Sequence, residues 1–580
     1  MSGDARLWCD RLVRGLGQHE FDLYALSRSR RQEDEGWLPL PPHVSRVRTA
    51  PLWTAGQDGP AYGRRARRRF AESYGELAAV LCAVPGVGGP AGPGFDGTQD
   101  TDAPDGPDGS GVGSGRMADR FGSALYGLAE LARDEGGLAG ALRSDSAVRT
   151  LERACRTPGA PAAARAARVP DLLAVAAHLE RALRPLSLDW YGDDGLGAAD
   201  LCHATAGGPA ALPGLLARHF GDVPLLVTEY GVPLRAHYLA TGPDAAGPAV
   251  RTLLAAFHGR LAAEVYGRAA IITPGNAHTR RWQERCGADR SRIRTVHPGL
   301  EAGRFTEVGE APDRADPDTL VWVGRAEPAK DLVSLLHAFA EVRKEEPKAR
   351  LRVVGAPSGP EGRAYLGHCK ALAAQLFPDE ADGVHAVGDN PVAFEEIGGP
   401  EAPTLADAYA SGSVVVLSSV VEGFPVGLAE AMLCARATVS TDVGAVVEVI
   451  GGTGLVVPPR NPRALAEACV ALLRDPERRE RLGAAARARA LELFTVEQNI
   501  AAFNGIYLEI VSHCPVRRVV LDEAGEPLPF AAPAEAHVPG RWTGPTTRVA
   551  SRGGPGWALG VPPRPAPVPA TPVTAPEGAR

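Results

Sequence analysis

Short apolar runs alternate with amphipathic stretches along most of the chain. Runs such as VPLLVTEY and RAAIITPG in the first half, and TLVWVGR and SVVVLSS in the second, have the length and composition of buried strands. Between them lie segments with apolar residues at helical spacing, such as DLVSLLHAFAEVRKEEP. Strand, helix, strand at this spacing predicts parallel sheets covered by helices. Two such units predict an α/β protein with two Rossmann-like domains that face a cleft.

The pattern divides the 580 residues into several parts. We predict one Rossmann-like domain at 1–305, a second at 306–490, and an apolar helix at 491–513. Two further stretches have too few large apolar side chains to offset the entropy of ordering. They are the Gly-, Pro- and Asp-rich segment 84–115, predicted to be a flexible insertion, and the Pro-rich segment 514–580, predicted to be a disordered tail.

The chain opens on a predicted helix, whereas a Rossmann unit begins with a strand that leads into a Gly-rich turn. SGDARLWCDRLVRGLG has the pattern of that helix. We therefore expect the first strand of the N-terminal domain to be missing. Because that strand is central, we also expect the natural chain to start upstream of Met1, with an apolar strand of about five to six residues. Without that strand we expect a poorly soluble or inactive protein.

Composition narrows the classes of partner and site. A net charge of -7 provides no overall field for nucleic acid. The Arg-rich stretch GRRARRRFAESYGEL has no aromatic residues interleaved for base stacking, so we interpret it as a solvated helix face and predict no nucleic-acid partner. The nine cysteines are spread singly, which predicts no metal site and favours a cytoplasmic location. No apolar run approaches the roughly 18 residues of a membrane helix.

Two carboxylates flank a Gly-Phe-Pro turn in the second domain. The turn follows SVVVLSS and precedes a predicted helix, so we expect a loop at the carboxyl end of a parallel strand, where open α/β sheets bind ligands. Gly423 allows a ligand to approach the backbone, and amides at the helix start can receive phosphate. Glu422 and Glu430 are separated by that helix start and are interpreted as acceptors for hydroxyl groups. A phosphate-bridged ligand with a diol at either end, such as a nucleotide-sugar, has this layout.

A second loop supplies basic groups. TLVWVGRAEPAK runs from a predicted strand into Gly324 and Arg325, and Lys330 follows before the next helix. Arginine offers a planar fork for phosphate oxygens and lysine a point charge, and a loop this short lets both turn toward one diphosphate. The alternative is a surface arginine and lysine at a helix start.

Together these loops resemble the donor half of GT-B glycosyltransferases of glycosyltransferase family 4. The stretches that carry the resemblance are VGRAEPAK and, later, EGFPVGLAEAM, which has the E-x7-E spacing of that family. The resemblance covers roughly residues 320–490. It implies a retaining, metal-independent glycosyltransferase without a cofactor. The implied substrate is a nucleotide-diphosphate-sugar, with UDP and a hexosyl or N-acetylhexosaminyl group as the favoured choices.

The resemblance also implies roles for individual residues. Arg325 and Lys330 would hold the diphosphate and stabilise the charge of the leaving group. Glu422, with the backbone of its loop, would bind the hydroxyls of the transferred sugar, and Glu430 would bind the ribose diol. The residues assigned to donor binding are Gly324, Gly423, Phe424, Pro425, Val426 and Glu430.

The first half resembles the N-terminal domain of PelF-type exopolysaccharide glycosyltransferases. The resemblance rests on stretches such as WCDRLVRGLGQHEFDLYAL and ITPGNAHTRRWQERCGADR. It implies that 1–305 is the acceptor domain, that 306–490 is the donor domain, and that the helix at 491–513 crosses back to the first. A glycan or envelope-type acceptor and a membrane-bound polysaccharide synthesis complex are the implied partners.

Three residues of the first half are candidates for the acceptor wall of the cleft. His203 follows a predicted strand and is proposed as a catalytic residue, because histidine exchanges protons near neutral pH. Glu229 and Tyr230 end the next strand and are candidates for acceptor contact. The alternative for His203 is a ring packed at a strand end.

Two classes of function remain open. The first is a working retaining glycosyltransferase that extends a glycan from the cytoplasmic side. The second is a non-catalytic GT-B partner or scaffold protein. Tyr230 replaces the histidine of PelF-type proteins, and Pro298 replaces an asparagine, which favours the second class. The retained charged residues of the donor half favour the first.

Overall fold

The structure is a computed structural model that describes residues 3–27, 29–34, 39–54, 59–83, 111–192, 194–240, 246–311, 315–378 and 390–516. The helices of this part of the chain are α1 (Gly3–Gly15), α2 (Arg30–Asp34), α3 (Arg64–Leu81), α4 (Gly111–Glu135), α5 (Leu138–Leu142), α6 (Asp145–Cys155), α7 (Ala162–Arg165), α8 (Val169–Leu183), α9 (Leu212–Gly221), α10 (Pro233–Leu239), α11 (Pro248–Arg268), α12 (Ala277–Arg285), α13 (Thr306–Glu310), α14 (Leu332–Glu345), α15 (Gly359–Leu376), α16 (Leu405–Ala410), α17 (Val426–Leu433), α18 (Val446–Ile450), α19 (Pro462–Leu473), α20 (Pro476–Leu493) and α21 (Val496–His513). The strands are β1 (Phe21–Ser27), β2 (Val44–Pro51), β3 (Cys202–Ala204), β4 (Leu225–Glu229), β5 (Ile271–Pro274), β6 (Asp316–Val323), β7 (Arg350–Val354), β8 (Val392–Glu395), β9 (Gly412–Leu417), β10 (Ala437–Thr441) and β11 (Leu455–Val457).

The C-terminal half is built on a six-stranded parallel sheet in the order β11-β10-β9-β6-β7-β8. Its central strands are apolar on both faces because helices cover both. Leu320 and Trp322 of β6 pack with α14 and α19, while Val321 packs with α17 and α20 on the other face. The chain leaves β6 toward β7 on one side and returns to β9 on the other. A crevice therefore opens between the carboxyl ends of β6 and β9.

The N-terminal half carries two smaller parallel sheets. β3, β4 and β5 form one, and β1 and β2 form the other. Helices α3 to α8 are inserted between β2 and β3, and they share one buried core with α9 and α11. The predicted fold class is confirmed, since two α/β halves with parallel sheets face each other across a cleft in the GT-B arrangement.

The predicted flexible insertion is too long at its carboxyl end. Helix α4 already begins at Gly111, and Phe121, Leu125 and Leu128 on it are fully buried. Helical spacing of these apolar residues beyond the Gly-rich stretch is what extends the ordered structure. The remainder of that predicted insertion, 84–110, and the segment 517–580 lie outside the described residues.

The predicted single helix at 491–513 is in fact the end of α20 and the whole of α21. Helix α20 ends at Leu493, and Phe494 is its C-cap. Thr495 caps α21 by accepting a hydrogen bond from the Gln498 amide at 3.3 Å. At this point Leu300 donates its amide to Phe494 O at 2.8 Å and accepts from the Val496 amide at 3.0 Å. The two chain segments that connect the halves are therefore hydrogen-bonded to each other.

Helix α21 packs on the N-terminal half. The Trp8 indole Nε1 donates to Asn499 Oδ1 at 3.2 Å, and the rings of Trp8 and Phe503 are 5.6 Å apart. Phe503 is fully buried in a cluster with residues of α1, β4 and β5. Among the helices that the structure describes, none is both long and apolar enough to span a lipid bilayer.

Candidate active site

Two loops meet at the crevice between β6 and β9. The β6 loop (324–330) and the β9 loop (418–425) follow neighbouring parallel strands, so their positions coincide at one edge of the sheet. The Ser418 hydroxyl donates to Lys330 O at 2.7 Å, and the Val420 amide donates to Ala329 O at 2.9 Å. These bonds hold the two loops in one fixed arrangement.

An ion pair forms the charged centre of the site. Lys330 Nζ donates to Glu422 Oε1, and the Ser419 hydroxyl donates to the same oxygen at 2.7 Å. The side chains are only 17% and 9% exposed, so the pair is largely shielded from water. The structure therefore brings Lys330 and Glu422, predicted to touch the diphosphate and the sugar, into direct contact.

Arg325 differs from Lys330 in its surroundings. It is exposed at the carboxyl end of β6, and its guanidinium forms no hydrogen bond or ion pair with any residue that the structure describes. Gly324 beside it donates its amide to Val354 O at 3.1 Å, which fixes the start of the loop. The guanidinium of Arg325 is thus available to a ligand at the mouth of the crevice.

The backbone of the β9 loop offers fewer donors than we predicted. The Val426 amide already donates to Phe424 O at 3.0 Å within the turn, and Pro425, the N-cap of α17, has no amide hydrogen. The Gly423 carbonyl is also engaged, because it accepts from the Ala445 amide at 3.1 Å. A ligand in this loop would meet the amides of Gly423 and Phe424.

Glu430 lies on α17 and lines the cavity between the two halves together with Phe424 and Val426. Its Oε2 accepts a hydrogen bond from the Tyr409 hydroxyl at 3.0 Å. Burial, and then the nearby carboxylate, raise the pKa of Tyr409 well above its usual value, so the tyrosine remains a donor. This contact fixes one oxygen of the Glu430 carboxylate.

Gly444 supports the β9 loop from below. Its φ of 60° lies in the left-handed region, and a Cβ there would lie 2.6 Å from Glu422 O and 2.8 Å from Gly423 O. The loop can therefore occupy its position only because residue 444 has no side chain.

Replacing Gly444 with alanine is expected to lower the catalytic activity of this candidate site about 10- to 100-fold, because a small displacement of Glu422 disturbs the ion pair. The matched control is Gly452→Ala, which has a φ of 87° but open space around its Cα. Turnover measured for both variants separates backbone strain from loop displacement. Equal losses in the two variants would show that the loop contact is unimportant.

His203 does not have the setting that we predicted for a proton carrier. Its Nδ1 lies 2.7 Å from the Tyr507 hydroxyl, and its Nε2 lies 2.6 Å from Thr228 Oγ1. Burial lowers the pKa of His203 to about 3, so the ring is neutral near pH 7. These contacts correspond to the alternative interpretation, a ring packed at a strand end.

Buried neutral histidines make the protein sensitive to acid. The pKa of His203 is lowered to about 3 and that of His258 to about 4, both by burial, from an ordinary value of 6.5. Below pH 6.5 the unfolded chain therefore binds protons that the folded chain does not. We expect the free energy of unfolding to fall as the pH is lowered from 6.5 toward 4, as measured by urea denaturation at a series of pH values. His258→Gln should flatten this dependence, whereas the exposed control His337→Gln should not.

Glu229, the other candidate for acceptor contact, lines the cavity but has a buried, fully bonded carboxylate. It is 1% exposed and accepts hydrogen bonds from the Gly207 amide at 3.0 Å, from Gln283 Nε2 at 3.1 Å and from the Tyr266 hydroxyl. Burial raises the pKa of Glu229. The group anchors the loop after β3 to β4 and α12.

Tyr230 lines the cavity, as expected for the acceptor side, but its ring is also held by α1. The rings of Tyr230 and Trp8 lie 5.4 Å apart at 86°. The residue therefore contributes mainly to the shape of the wall.

A contact from the N-terminal half to the β9 loop was not predicted from the sequence. Arg235 of α10 donates from Nη2 to Glu422 O at 2.9 Å, and Glu448 of α18 accepts from the Ala277 amide at 2.7 Å in the opposite direction. Arg235 lies a few residues after Glu229, which ends β4, and a position after a strand end is only a weak sequence signal for a residue at the site. The docking of the two halves brings it to the site.

Part of the C-terminal half matches a known family. Residues 317–475, which contain both loops and the ion pair, match the family described as glycosyl transferases group 1. This stretch is similar to glycosyltransferase group 1 domains. The first half, at residues 2–85 and 115–291, matches a domain of unknown function (DUF3492).

Two relatives of the chain carry the same name. The D-inositol 3-phosphate glycosyltransferase of Kineococcus radiotolerans is 34% identical over 241 residues, which are 38% of this chain and 52% of the relative. The protein of the same name from Streptomyces bingchenggensis is 33% identical over 236 residues, 38% of this chain and 49% of the relative. The chain thus spans about half the length of the curated relatives it matches.

Two solved structures have limited similarity to the chain. Anabaena HepE (Alr3699) in complex with UDP and glucose is 17% identical, with a TM-score of 0.42, over 53% of this chain and 78% of that chain. Sucrose-phosphate synthase from Thermosynechococcus elongatus is 20% identical, with a TM-score of 0.43, over 55% of this chain and 75% of that chain.

Proposed function

We propose that the chain is a retaining glycosyltransferase that moves a sugar from a UDP-linked donor to a glycan or envelope-type acceptor. The observation that carries this proposal is the shielded Lys330–Glu422 pair at the crevice of the group 1 domain. A cation and a carboxylate side by side match the phosphate and the sugar hydroxyls of such a donor. The donor is a substrate, and we propose no metal or other cofactor.

We propose different roles for the two basic groups. Lys330 is held in place by Glu422 and, with three donor hydrogens, can bind a phosphate oxygen while it keeps that partner. Arg325 is exposed at the mouth of the crevice and can close on the diphosphate as a fork. Both positive charges would then stabilise the charge that develops on the leaving nucleotide diphosphate.

The same geometry bears on how the anomeric configuration is retained. The Glu422 carboxylate is engaged by Lys330 and Ser419, which makes it a poor nucleophile for a covalent intermediate. We therefore propose attack of the acceptor hydroxyl on the face from which the diphosphate departs. In this scheme a phosphate oxygen of the donor takes the proton of the acceptor hydroxyl.

The free thiols favour a reducing compartment, and we propose that the protein acts in the cytoplasm at a membrane-bound polysaccharide synthesis complex. None of the nine cysteines forms a disulfide. The sulfur atoms of Cys82 and Cys155 lie 3.6 Å apart without a bond between them.

A panel of nucleotides and nucleotide-sugars tests the proposal. A ligand at a hundred times its dissociation constant should stabilise the chain by about 2.7 kcal/mol in a thermal denaturation assay. The best donor is then supplied with oligosaccharides and, because of the names of the relatives, with D-inositol 3-phosphate. Nuclear magnetic resonance of the product reads the anomeric configuration. If no nucleotide stabilises the chain and no donor is consumed, the proposal is wrong.

Replacing Glu430 with alanine is expected to weaken UDP binding by about 1.5 to 3 kcal/mol, because the ribose diol loses a charged acceptor. Isothermal titration calorimetry measures the change. The matched control is Glu467→Ala, a glutamate of α19 whose side chain is 63% exposed. Unchanged affinity for UDP would contradict the role of Glu430.

A non-catalytic partner or scaffold protein is the second candidate, and the acceptor wall favours it. His203 is neutral, and both of its ring nitrogens lie within hydrogen-bond distance of hydroxyl groups. Glu229 is buried and accepts a hydrogen bond from the Gly207 amide. In this scheme neither residue supplies a catalytic group at this wall. This candidate predicts that the chain binds nucleotides in the panel but neither transfers nor hydrolyses any donor.

A further inference from the structure

A row of basic side chains runs along α12, starting at the cleft. His278, Arg281 and Arg285 are three and four positions apart, so they lie on one face of the helix. Helix α12 begins at the cleft, because the Ala277 amide donates to Glu448 Oε2 of α18 at 2.7 Å. The row therefore starts beside the C-terminal half and ends at Arg281 and Arg285, which are exposed.

Arg235 of α10 extends this row to the β9 loop. Its Nη2 donates to Glu422 O at 2.9 Å, and this is the one hydrogen bond that its guanidinium forms with the described residues. Burial, and then the positive charges of Arg235 and the two α12 arginines, lower the pKa of His278. The four side chains therefore form one patch, called here the basic row (Arg235, His278, Arg281 and Arg285).

The basic row has no acidic partner in the described part of the chain. The carboxylate of α12, Glu284, is already paired with Arg280 at 2.9 Å and Arg290 at 3.3 Å. Burial lowers the pKa of Arg235, and the Nε2 atom of His278 is buried without a hydrogen-bond partner among the described residues. Partly buried positive charge without a counter-charge is unfavourable, and an anion bound along the row would offset that cost.

Aromatic rings lie beside the basic row. Tyr238 of α10 is 40% exposed, and its ring lies 6.5 Å from that of Trp282 on α12. The Arg285 guanidinium lies 5.7 Å from the centre of the Trp282 ring. An aromatic face can pack against the apolar face of a sugar ring, while a guanidinium binds a carboxylate, phosphate or sulfate group. This surface thus offers contacts to both the ring and the charge of an acidic sugar.

We propose that the basic row binds the acceptor through anionic groups, so that the acceptor is an acidic glycan that bears carboxylate, phosphate or sulfate. In the proposed function, the donor diphosphate is bound by Arg325 and Lys330 of the C-terminal half, which leaves the charge of the opposite half to the acceptor. Glu422, at the inner end of the row, binds the transferred sugar in the same scheme. An acceptor that lies along the row would therefore have its end beside the site of transfer. This inference rests on the proposed function and specifies the class of acceptor.

The test measures binding of oligosaccharides of equal length by isothermal titration calorimetry, with UDP present and at two salt concentrations. They are a neutral glucan, an oligogalacturonate, and phosphorylated and sulfated forms of the glucan. One variant combines Arg281→Gln with Arg285→Gln, and a second is Arg235→Gln. The matched control combines Arg64→Gln with Arg65→Gln, two exposed arginines at the start of α3, and so removes the same charge elsewhere.

We expect at least one acidic oligosaccharide to bind about 10-fold tighter than the neutral glucan or more, with the difference smaller at higher salt. The oligosaccharide that binds identifies the anionic group. The double variant of α12 should weaken this binding about 5- to 10-fold, because exposed charges each contribute modestly. Arg235→Gln should weaken it about 10-fold or more, because its charge is partly buried. The α3 control should bind as the unchanged chain does.

Several results would overturn the proposal. These are equal affinity for neutral and acidic oligosaccharides, an equal loss in the α3 control, or tighter binding of a single-stranded oligonucleotide than of any glycan. A loss of UDP affinity in the double variant would also overturn it, since the row would then serve the donor. UDP affinity is measured separately on the unchanged chain. Absence of UDP binding there would contradict the proposed function, whereas loss of glycan selectivity alone would contradict only the role of the basic row.

Discussion

Replacing Lys330 with alanine is expected to lower the rate of sugar transfer by about 100- to 1000-fold. In the proposed mechanism the ammonium group stabilises charge on the leaving diphosphate, and loss of one such group from a shielded site typically has an effect of this size. Its side chain is 17% exposed, so little solvent screening weakens the interaction. The fall should appear in kcat more than in donor affinity, because the charge develops in the transition state.

The control is Lys344→Ala, a lysine of α14 that is 68% exposed and paired with Glu341. A second variant, with Lys330→Ala combined with Glu422→Gln, removes the carboxylate that the first variant leaves without its cation. If Lys330 acts on the leaving group, the double variant stays as slow as the single one. A loss confined to donor affinity, with kcat intact, would instead make Lys330 a binding residue only.

Replacing Phe503 with alanine is expected to lower the free energy of unfolding by about 3 to 5 kcal/mol, the usual range for a fully buried phenylalanine. Phe503 packs on Trp8 and lies within 5.4 Å of the His203 ring, measured between centroids. Its loss leaves a cavity between α21 and the N-terminal half. Urea denaturation followed by circular dichroism measures the change.

Leu508→Ala on the same helix is the control, because Leu508 is 38% exposed and should lose much less. If the two variants were equally stable, α21 would not depend on its packing against α1. Selective unfolding of the C-terminal half would likewise contradict the packing described here.

The donor half could be predicted from sequence because its signals are local. β6 and β9 are continuous apolar runs, and the loops that follow them carry their functional residues within a few positions of the strand ends. Parallel neighbours must present those ends at one edge, so the meeting of Lys330 with Glu422 follows from the two loops.

The acceptor wall could not be predicted in the same way. His203 contacts Tyr507, which lies 304 positions away along the chain, and Arg235 reaches Glu422 across 187 positions. A short motif does not encode such contacts. Even within the β9 loop, the Val426 amide donates to Phe424 O and is not available to a ligand. That hydrogen bond depends on the local backbone conformation, which the motif does not specify.

The paired crossings at Leu300 and Phe494 have a consequence for movement of the two halves. Because the segments are bonded to each other at 2.8 and 3.0 Å, they form a single narrow pivot. A change in the angle between the halves is then a rotation about one line. Because α21 packs on the N-terminal half, it would move with that half, so the distance between a probe on α21 and a probe on α19 would report how far the cleft has closed.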